Sequence, residues 1–393
     1  MNQVADDKEC PIAAARACRD DFGTVFLDSG ITGKGISILA VEPDLVLSGN
    51  DWGRLERELE ARRRDSPGNP DGAAIGFVSF DGAHHFGFYD SLHLFSHEEG
   101  RWTNRPCDFD PAASREVAPI PFVPRMPKEE FLGMVKRARE YIAAGDIYQV
   151  CLSHPFVAEM NNPPAWSFFE RLRRVSPAPF SAYINFGGVR VASSSPECFL
   201  RMSGRQISTR PIKGTRPRKS DPGSDRLSAS ELSASSKEIA ELIMITDLER
   251  NDLGRVCDYG SVQVSDLLRL ETFEQVFHLV STVEGQLREG VSHVRALREC
   301  FPGGSISGAP KKRALEIIRE LEPYPRGIYT GAIGYFGYNG ESQFSVAIRT
   351  AVFEPGLASF HVGAGIVADS IPEYEWQETL DKAAGLLLAA GGR

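Results

Sequence analysis

A chain of 393 residues with 42% hydrophobic and 25% charged side chains is composed like an ordinary globular protein and can bury a large core. A net charge of −9 without a basic cluster argues against nucleic acid as a partner, because phosphate binding needs a positive face; for an anionic ligand the cations must be local. The longest apolar run, "AAGLLLAA" at 383–390, is too short for a bilayer, and "MNQVADDKECPIAAARACRDD" lacks the apolar stretch of a secretory signal, so the sequence predicts a cytoplasmic protein with no membrane partner.

Seven scattered cysteines without a C-x-x-C pair argue against both a zinc site and a disulfide framework. Loop or linker composition appears at 62–72 and 107–127, the second dividing the chain unevenly. Before it lie short strand-like runs, "GTVFLDS", "GISILAVEP" and "AAIGFVSF". After it, "PKEEFLGMVKRAREYIAAG" sets Phe131, Leu132, Val135, Ala138 and Ile142 on one helical face and closes at Gly145. In the strand "DIYQVCLSH" that follows, Tyr148, Val150 and Leu152 face one way, Gln149 and Cys151 the other.

Strands and helices then alternate. "SSSPECFL" carries Glu197, which could pair with a nearby cation or, if buried with a raised pKa, serve as a general acid. "RQISTRPIKGT" reads as an alternating strand ending in a lone Lys213, open to interpretation as surface charge, anion ligand or nucleophile. A long helix is predicted from about Leu232 to Leu248, with Glu238 and Glu241 three apart on one face. His278 lies in the apolar run "QVFHLVST". "FPGGSISGAPKKRALEII" has glycines before a helix whose first position could be Pro310, leaving N–H groups free for an anion, although no P-loop Lys-Ser/Thr pair follows Gly308. Arg349 in "VAIRT" offers a planar fork suited to a carboxylate, and Gly363 and Gly365 in "HVGAGIV" let backbone approach a ligand closely. A final helix from about Pro372 repeats the carboxylate spacing with Glu375 and Glu378, which, with Lys382, point away from its apolar side of Trp376, Ala383 and Leu387.

Like charges at this spacing repel, a cost that a divalent cation would remove, and Mg²⁺ is commonly held by one or two carboxylates plus water and substrate oxygens. Taken singly, each feature reads better as a solvated face, a tight turn or a surface charge than as a binding site. No G-x-C-x-G glutaminase elbow occurs, so any nitrogen transfer would draw on glutamine hydrolysed by another chain. The class is α/β or α+β, with a mostly antiparallel sheet.

Together these residues resemble the chorismate-utilising enzymes, which include anthranilate synthase component I, aminodeoxychorismate synthase component I and, more distantly, isochorismate and salicylate synthases. The resemblance runs from about residue 128 to 382 through "GDIYQV", "SSSPE", "PIKGT", "DLERNDLGRVC", "HLVST", "PGGSISGAPKKRALEII", "YTGAIGY", "AIRT" and "GAGIVADS…EWQET". It implies one large sandwich of two face-to-face sheets with helices outside, in which 1–120 is the N-terminal sheet portion and 121–393 the chorismate-binding catalytic region. It also implies Mg²⁺ on Glu241 and Glu378, with Glu238 and Glu375 nearby through water. Gly214, Thr215, Tyr329, Arg349 and the backbone of Gly363, Ala364 and Gly365 would meet the substrate carboxylates. His278 matches the family's active-site histidine and Glu197 its acid near the C4 hydroxyl. Gln149 stands where water-using isochorismate synthases carry a lysine base, which argues against water as nucleophile.

Within this family Lys213 is the informative residue. Anthranilate synthases usually have Ala in "PIxGT", whereas aminodeoxychorismate synthases have Lys. An amine near C2 can attack the ring as the C4 hydroxyl leaves, and ammonia then adds at C4 and expels it. Such an amine must be free of its proton, which burial beside a cation favours. The resemblance therefore implies the aminating subunit of 4-amino-4-deoxychorismate synthase, feeding p-aminobenzoate and folate synthesis with ammonia from a separate glutamine amidotransferase. The alternatives are anthranilate synthase component I and a catalytically silent chorismate-binding paralogue. Ile239, Leu242 and Cys198 replace residues common in relatives. "VSPAPFSAY" lacks the Asn of the segment that, with Ser29, forms the tryptophan pocket of feedback-inhibited anthranilate synthases, so tryptophan inhibition is not expected.

Overall fold

The computed structural model describes residues 10–30, 33–104, 118–273 and 276–391, so that most of the linker expected at 107–127 lies outside the described residues. The described strands form two antiparallel sheets, one of eleven strands and one of ten. Both take strands from each end of the chain. Thr24–Asp28 pairs with Phe180–Asn185 in the larger sheet, and Ala73–Val78 pairs with Ala332–Gly337 in the smaller. A mixed α/β sandwich of this kind is the class expected from the alternation of short apolar strands and amphipathic helices.

The layers follow from where the apolar side chains go. Val25, Ile38, Ile184 and Val191 of the larger sheet meet Ile75, Phe77 and Ile333 of the smaller in one buried cluster, so the inner faces pack on each other. The outer face of the larger sheet is covered by Lys128–Ala143, Ala165–Val175 and Pro372–Ala389. Phe131, Val135 and Ala138 of the first of these bury against Val150 and Leu152, which explains why the strand Gln149–Glu159 is buried on both faces for most of its length. Tyr148, expected to share that face, precedes the strand and is exposed. On the smaller sheet, the helix Ser236–Gly254 packs over Val276–Gln286. The two helices with paired glutamates thus come from opposite sheets.

Two expectations are corrected. The single helix from about Leu232 to Leu248 is two helices, Pro222–Ser233 and Ser236–Gly254, because Ser235 caps the second with its hydroxyl on the Glu238 N–H at 3.5 Å. Pro310 is the cap and not the first turn of the helix Lys311–Leu321. The glycine before it serves packing: Gly308 pairs with Val150, and a Cβ there would stand 2.3 Å from the Gln149 carbonyl oxygen. No described helix is long and apolar enough to cross a membrane.

Candidate active site

Two of the chain's crossings between the sheets each leave a charged side chain at the seam. From Arg190–Ser195 in the larger sheet to Cys198–Ser203 in the smaller the chain turns through Pro196 and Glu197. Ser195 holds this turn with its hydroxyl, donating to the Val346 carbonyl at 2.6 Å and accepting from the Glu197 N–H at 3.3 Å. From Glu341–Val346 back to Thr350–Glu354 it turns through Arg349, a non-glycine residue at φ +49°. Backbone in that left-handed region persists only where surroundings impose it, and such residues cluster at functional sites. Both side chains border one cavity of about 670 Å³, a volume suited to a small metabolite.

Glu197 is 6% exposed. Burial raises its pKa, against the opposing pull of the Ser305 hydroxyl, Lys213 and the Ile212 N–H, so the carboxyl is biased toward its acid form. Among the described residues no carboxylate stands within ion-pair distance of Arg349, whose pKa burial alone pushes down. An unanswered guanidinium in a cavity calls for an anionic ligand.

Lys213, Gly214 and Thr215 enter the cavity on the strand Ile212–Pro217. Lys213 pairs with Leu279 and Thr215 with His278, so Gly214 is the extra residue of a bulge. Its φ of +72° suits glycine, and a Cβ would press to 2.6 Å from Leu232 Cδ1. The Lys213 amine is 3.8 Å from Glu241 Oε2, and a Cβ on Gly365 would be 3.9 Å from it. Thr215 Oγ1 lies 2.9 Å from His278 Nδ1, with the Gly214 carbonyl at 3.4 Å from the same nitrogen. Burial lowers the His278 pKa and favours neutral imidazole.

Glu238, Glu241 and Glu378 line the cavity, whereas Glu375 is buried beside it. Burial raises Glu241, helped by Glu238 and Glu378. Glu375 is also raised by burial, and its Oε2 finds no hydrogen-bond partner. For Glu378 burial acts upward but Lys382, 2.7 Å away, outweighs it and holds the pKa down. Among the described residues no three His, Cys, Asp or Glu side chains form a closed metal cage. An oxygen-only set shared between two helices, with one buried oxygen unanswered, nevertheless fits Mg²⁺, which keeps waters and substrate oxygens in its shell.

Across the cavity the strand Leu357–Ile366 presents Gly363 and Gly365. A Cβ on Gly363 would sit 3.0 Å from the Tyr329 hydroxyl oxygen, and one on Gly365 2.5 Å from Gln149 Nε2, so both glycines keep the wall thin. Tyr329 lines the cavity with its ring stacked on His361. Gln149 and Ala364 do not line it; the Ala364 side chain packs into the core with Val150 and Trp376. Sequence reasoning missed Lys237, Ser305 and Cys151, which also border the cavity. It had also placed Lys382 only off an apolar face, whereas its amine donates to the Gly363 carbonyl at 2.9 Å. Its spacing of four from Glu378 was the available signal.

The model of the chorismate binding enzyme family matches residues 30–388. The anthranilate synthase component 1 of Thermus thermophilus is 47% identical over 262 residues, 67% of this chain and 56% of that protein. Its counterpart in Pseudomonas aeruginosa is 43% identical over 285 residues, 72% and 57%. The chain thus spans just over half the length of these curated relatives. The crystal structure of anthranilate synthase component I from Streptococcus pneumoniae superposes with a TM-score of 0.80 at 30% identity, covering 90% of this chain and 92% of that one. MenF, the menaquinone-specific isochorismate synthase of Escherichia coli, also reaches 0.80, over 96% and 91%, and at 19% identity shares the fold alone.

Proposed function

The chain belongs to the chorismate-binding enzyme family, and from that premise we propose that it aminates chorismate at C4, as the aminating subunit of 4-amino-4-deoxychorismate synthase. The observation that carries this reading is the Lys213 amine turned into the same cavity as the buried Glu197 carboxyl. Arg349 and the Tyr329 hydroxyl would receive one substrate carboxylate against the Gly363 to Gly365 backbone, and Gly214 and Thr215 the other; the support is that Arg349, Tyr329, Gly363, Gly365, Gly214 and Thr215 all line the cavity. Lys213, as its free amine, attacks C2 while the C4 hydroxyl takes the Glu197 proton and leaves as water. Ammonia then bonds to C4 and the Lys213 nitrogen departs from C2, restoring the enzyme amine.

Glu241 and Glu378, with Glu238 and Glu375 close by, would hold Mg²⁺, which when bound neutralises and anchors the C1 carboxylate. Ammonia would come from a separate glutamine amidotransferase.

A second reading, anthranilate synthase component I, is favoured by the names of the relatives at 42% to 47% identity. In that reading Lys213 is a bystander and ammonia enters at C2. Incubating the purified chain with chorismate, Mg²⁺ and ammonium and identifying the product by mass spectrometry separates the two. The expected product is 4-amino-4-deoxychorismate; anthranilate or isochorismate as the main product would overturn the proposal.

A further inference from the structure

The loop between the helix Lys311–Leu321 and the strand Ala332–Gly337 carries a buried arginine that the reaction above leaves unused. Arg326 is 4% exposed and does not line the cavity, yet each of its five N–H groups has an acceptor. Nε and Nη2 donate to the Glu322 carboxylate at 2.8 Å and 2.7 Å, a bidentate pair. Glu322 in turn accepts the Ser153 N–H at 2.8 Å and the Ser153 hydroxyl at 3.1 Å, which ties the pair to the strand Gln149–Glu159. Nη2 also donates to the Cys151 carbonyl at 2.7 Å, and Nη1 to the Ile306 carbonyl at 3.1 Å. Cys151 and Ile306 both border the cavity.

The remaining N–H is directed toward Tyr329. Nη1 donates to Thr330 Oγ1 at 3.1 Å, and that hydroxyl donates to the Tyr329 carbonyl. Thr330 holds φ +60°, a left-handed backbone that a β-branched residue keeps only where its surroundings impose it. At the other end of the same residue, the Tyr329 N–H donates to the Arg326 carbonyl at 3.1 Å. The Arg326 guanidinium carbon also stands 4.5 Å from the Phe80 ring centroid and 5.9 Å from that of Tyr329. Tyr329 is therefore held by its backbone on both sides, while its ring lines the cavity and stacks on His361.

We propose that Arg326 is a positioning residue for the Tyr329 hydroxyl: its bonds to Glu322, Cys151 and Ile306 fix the guanidinium, and its bond to Thr330 fixes the backbone from which the tyrosine reaches the cavity. A phenol already held in place gives the substrate carboxylate a hydrogen bond without the ordering cost that a loose one adds to binding. Arginine suits this task because its planar fork serves four separate groups at once, which the three donors of a lysine on a flexible stem do not. The hydrogen bond is made to bound substrate and transition state alike, so its loss falls on KM and spares kcat. The inference rests on the reading of Tyr329 as a ligand of a substrate carboxylate, whichever ring carbon is aminated.

Arg326→Lys keeps the charge beside Glu322 and gives up the fork. At saturating ammonium and Mg²⁺, its KM for chorismate should rise about 10- to 100-fold, the scale of a hydrogen bond to a charged group, with kcat kept. Partial unfolding alone would lower kcat with the active fraction and leave KM, so an unmoved KM overturns the proposal. Tyr329→Phe should raise KM to the same extent, and the double variant should match Y329F to within about twofold. Effects that multiply in the double variant would overturn the route through Tyr329. Should R326K fail to fold, Thr330→Val carries the test beside Thr330→Ser, which keeps the hydroxyl. KM should rise about fivefold in T330V and stay at the parent value in T330S, and equal KM in the two overturns the relay. Y329F keeps the two readings apart. An unmoved KM in Y329F removes the role of Tyr329 and this inference with it, whereas a raised KM in Y329F beside an unmoved R326K or T330V removes only the role of Arg326.

Discussion

Two buried groups of charge in this protein are built in opposite ways. On the strand Thr24–Asp28, the Asp28 carboxylate is 5% exposed and fully answered: it accepts from the Gly30 N–H at 3.1 Å, from Ser37 Oγ at 2.7 Å and from Arg173 Nε, with His97 Nε2 at 3.9 Å. Around the cavity, Arg349 has no carboxylate partner among the described residues, and Glu249 and Glu375 each leave a buried oxygen unmatched. A buried polar group without its partner costs about 1–3 kcal/mol. The same chain that satisfies Asp28 completely leaves two buried carboxyl oxygens unmatched, and a half-buried arginine without a counter-charge among the described residues, near one seam between its sheets. Paired burial is architecture, and unpaired burial beside a cavity marks where a ligand or a proton completes the structure.

Four substitutions test that contrast, in order of expected size. Asp28→Asn removes the charge that answers Arg173 and should cost about 3 kcal/mol in urea denaturation. Its kcat should stay at the parent value, and a lost kcat at parent stability would erase the distinction. Arg349→Ala should do the reverse, lowering kcat/KM about 100-fold, the scale of lost hydrogen bonds to a charged group, with Tm kept. Gly214→Ala should cost about 2 kcal/mol, because φ +72° disfavours a side chain and the new Cβ meets Leu232. Parent stability there would show that the bulge is not constrained as described.

The smallest effect has the most telling sign. Glu249 binds its proton more tightly folded than unfolded, so its contribution to stability is complete below pH 4.5 and is lost as pH rises to about 7. E249Q cannot lose it. Relative to the parent, the variant should gain on the order of 1 kcal/mol between those limits, measured by thermal melts across pH. A flat difference would mean that Glu249 binds its proton no more tightly in the folded than in the unfolded state.

What was legible in the sequence was mostly local. Glu238 with Glu241 and Glu375 with Glu378 could be seen to share helix faces because spacing alone decides it, and Gly363 and Gly365 could be seen to thin a strand. Ser235 and Glu238 form the S-x-x-E signature of a helix start, so the break in the long helix was readable and was missed. Other features depend on distant pairing. That Glu197 and Arg349 both stand at crossings between the sheets follows from strand partners far apart in sequence, and nothing in "VAIRT" signals a left-handed arginine. The unmatched oxygen of Glu249 appears only once Gly304 is packed on its partner.

The central claim is that Lys213 acts as the nucleophile. It is tested most directly by the products that Lys213→Ala forms from chorismate, Mg²⁺ and ammonium, identified by mass spectrometry beside the parent. The account predicts that 4-amination disappears in the folded variant and that any remaining product is aminated at C2. Undiminished 4-amination by Lys213→Ala would contradict it.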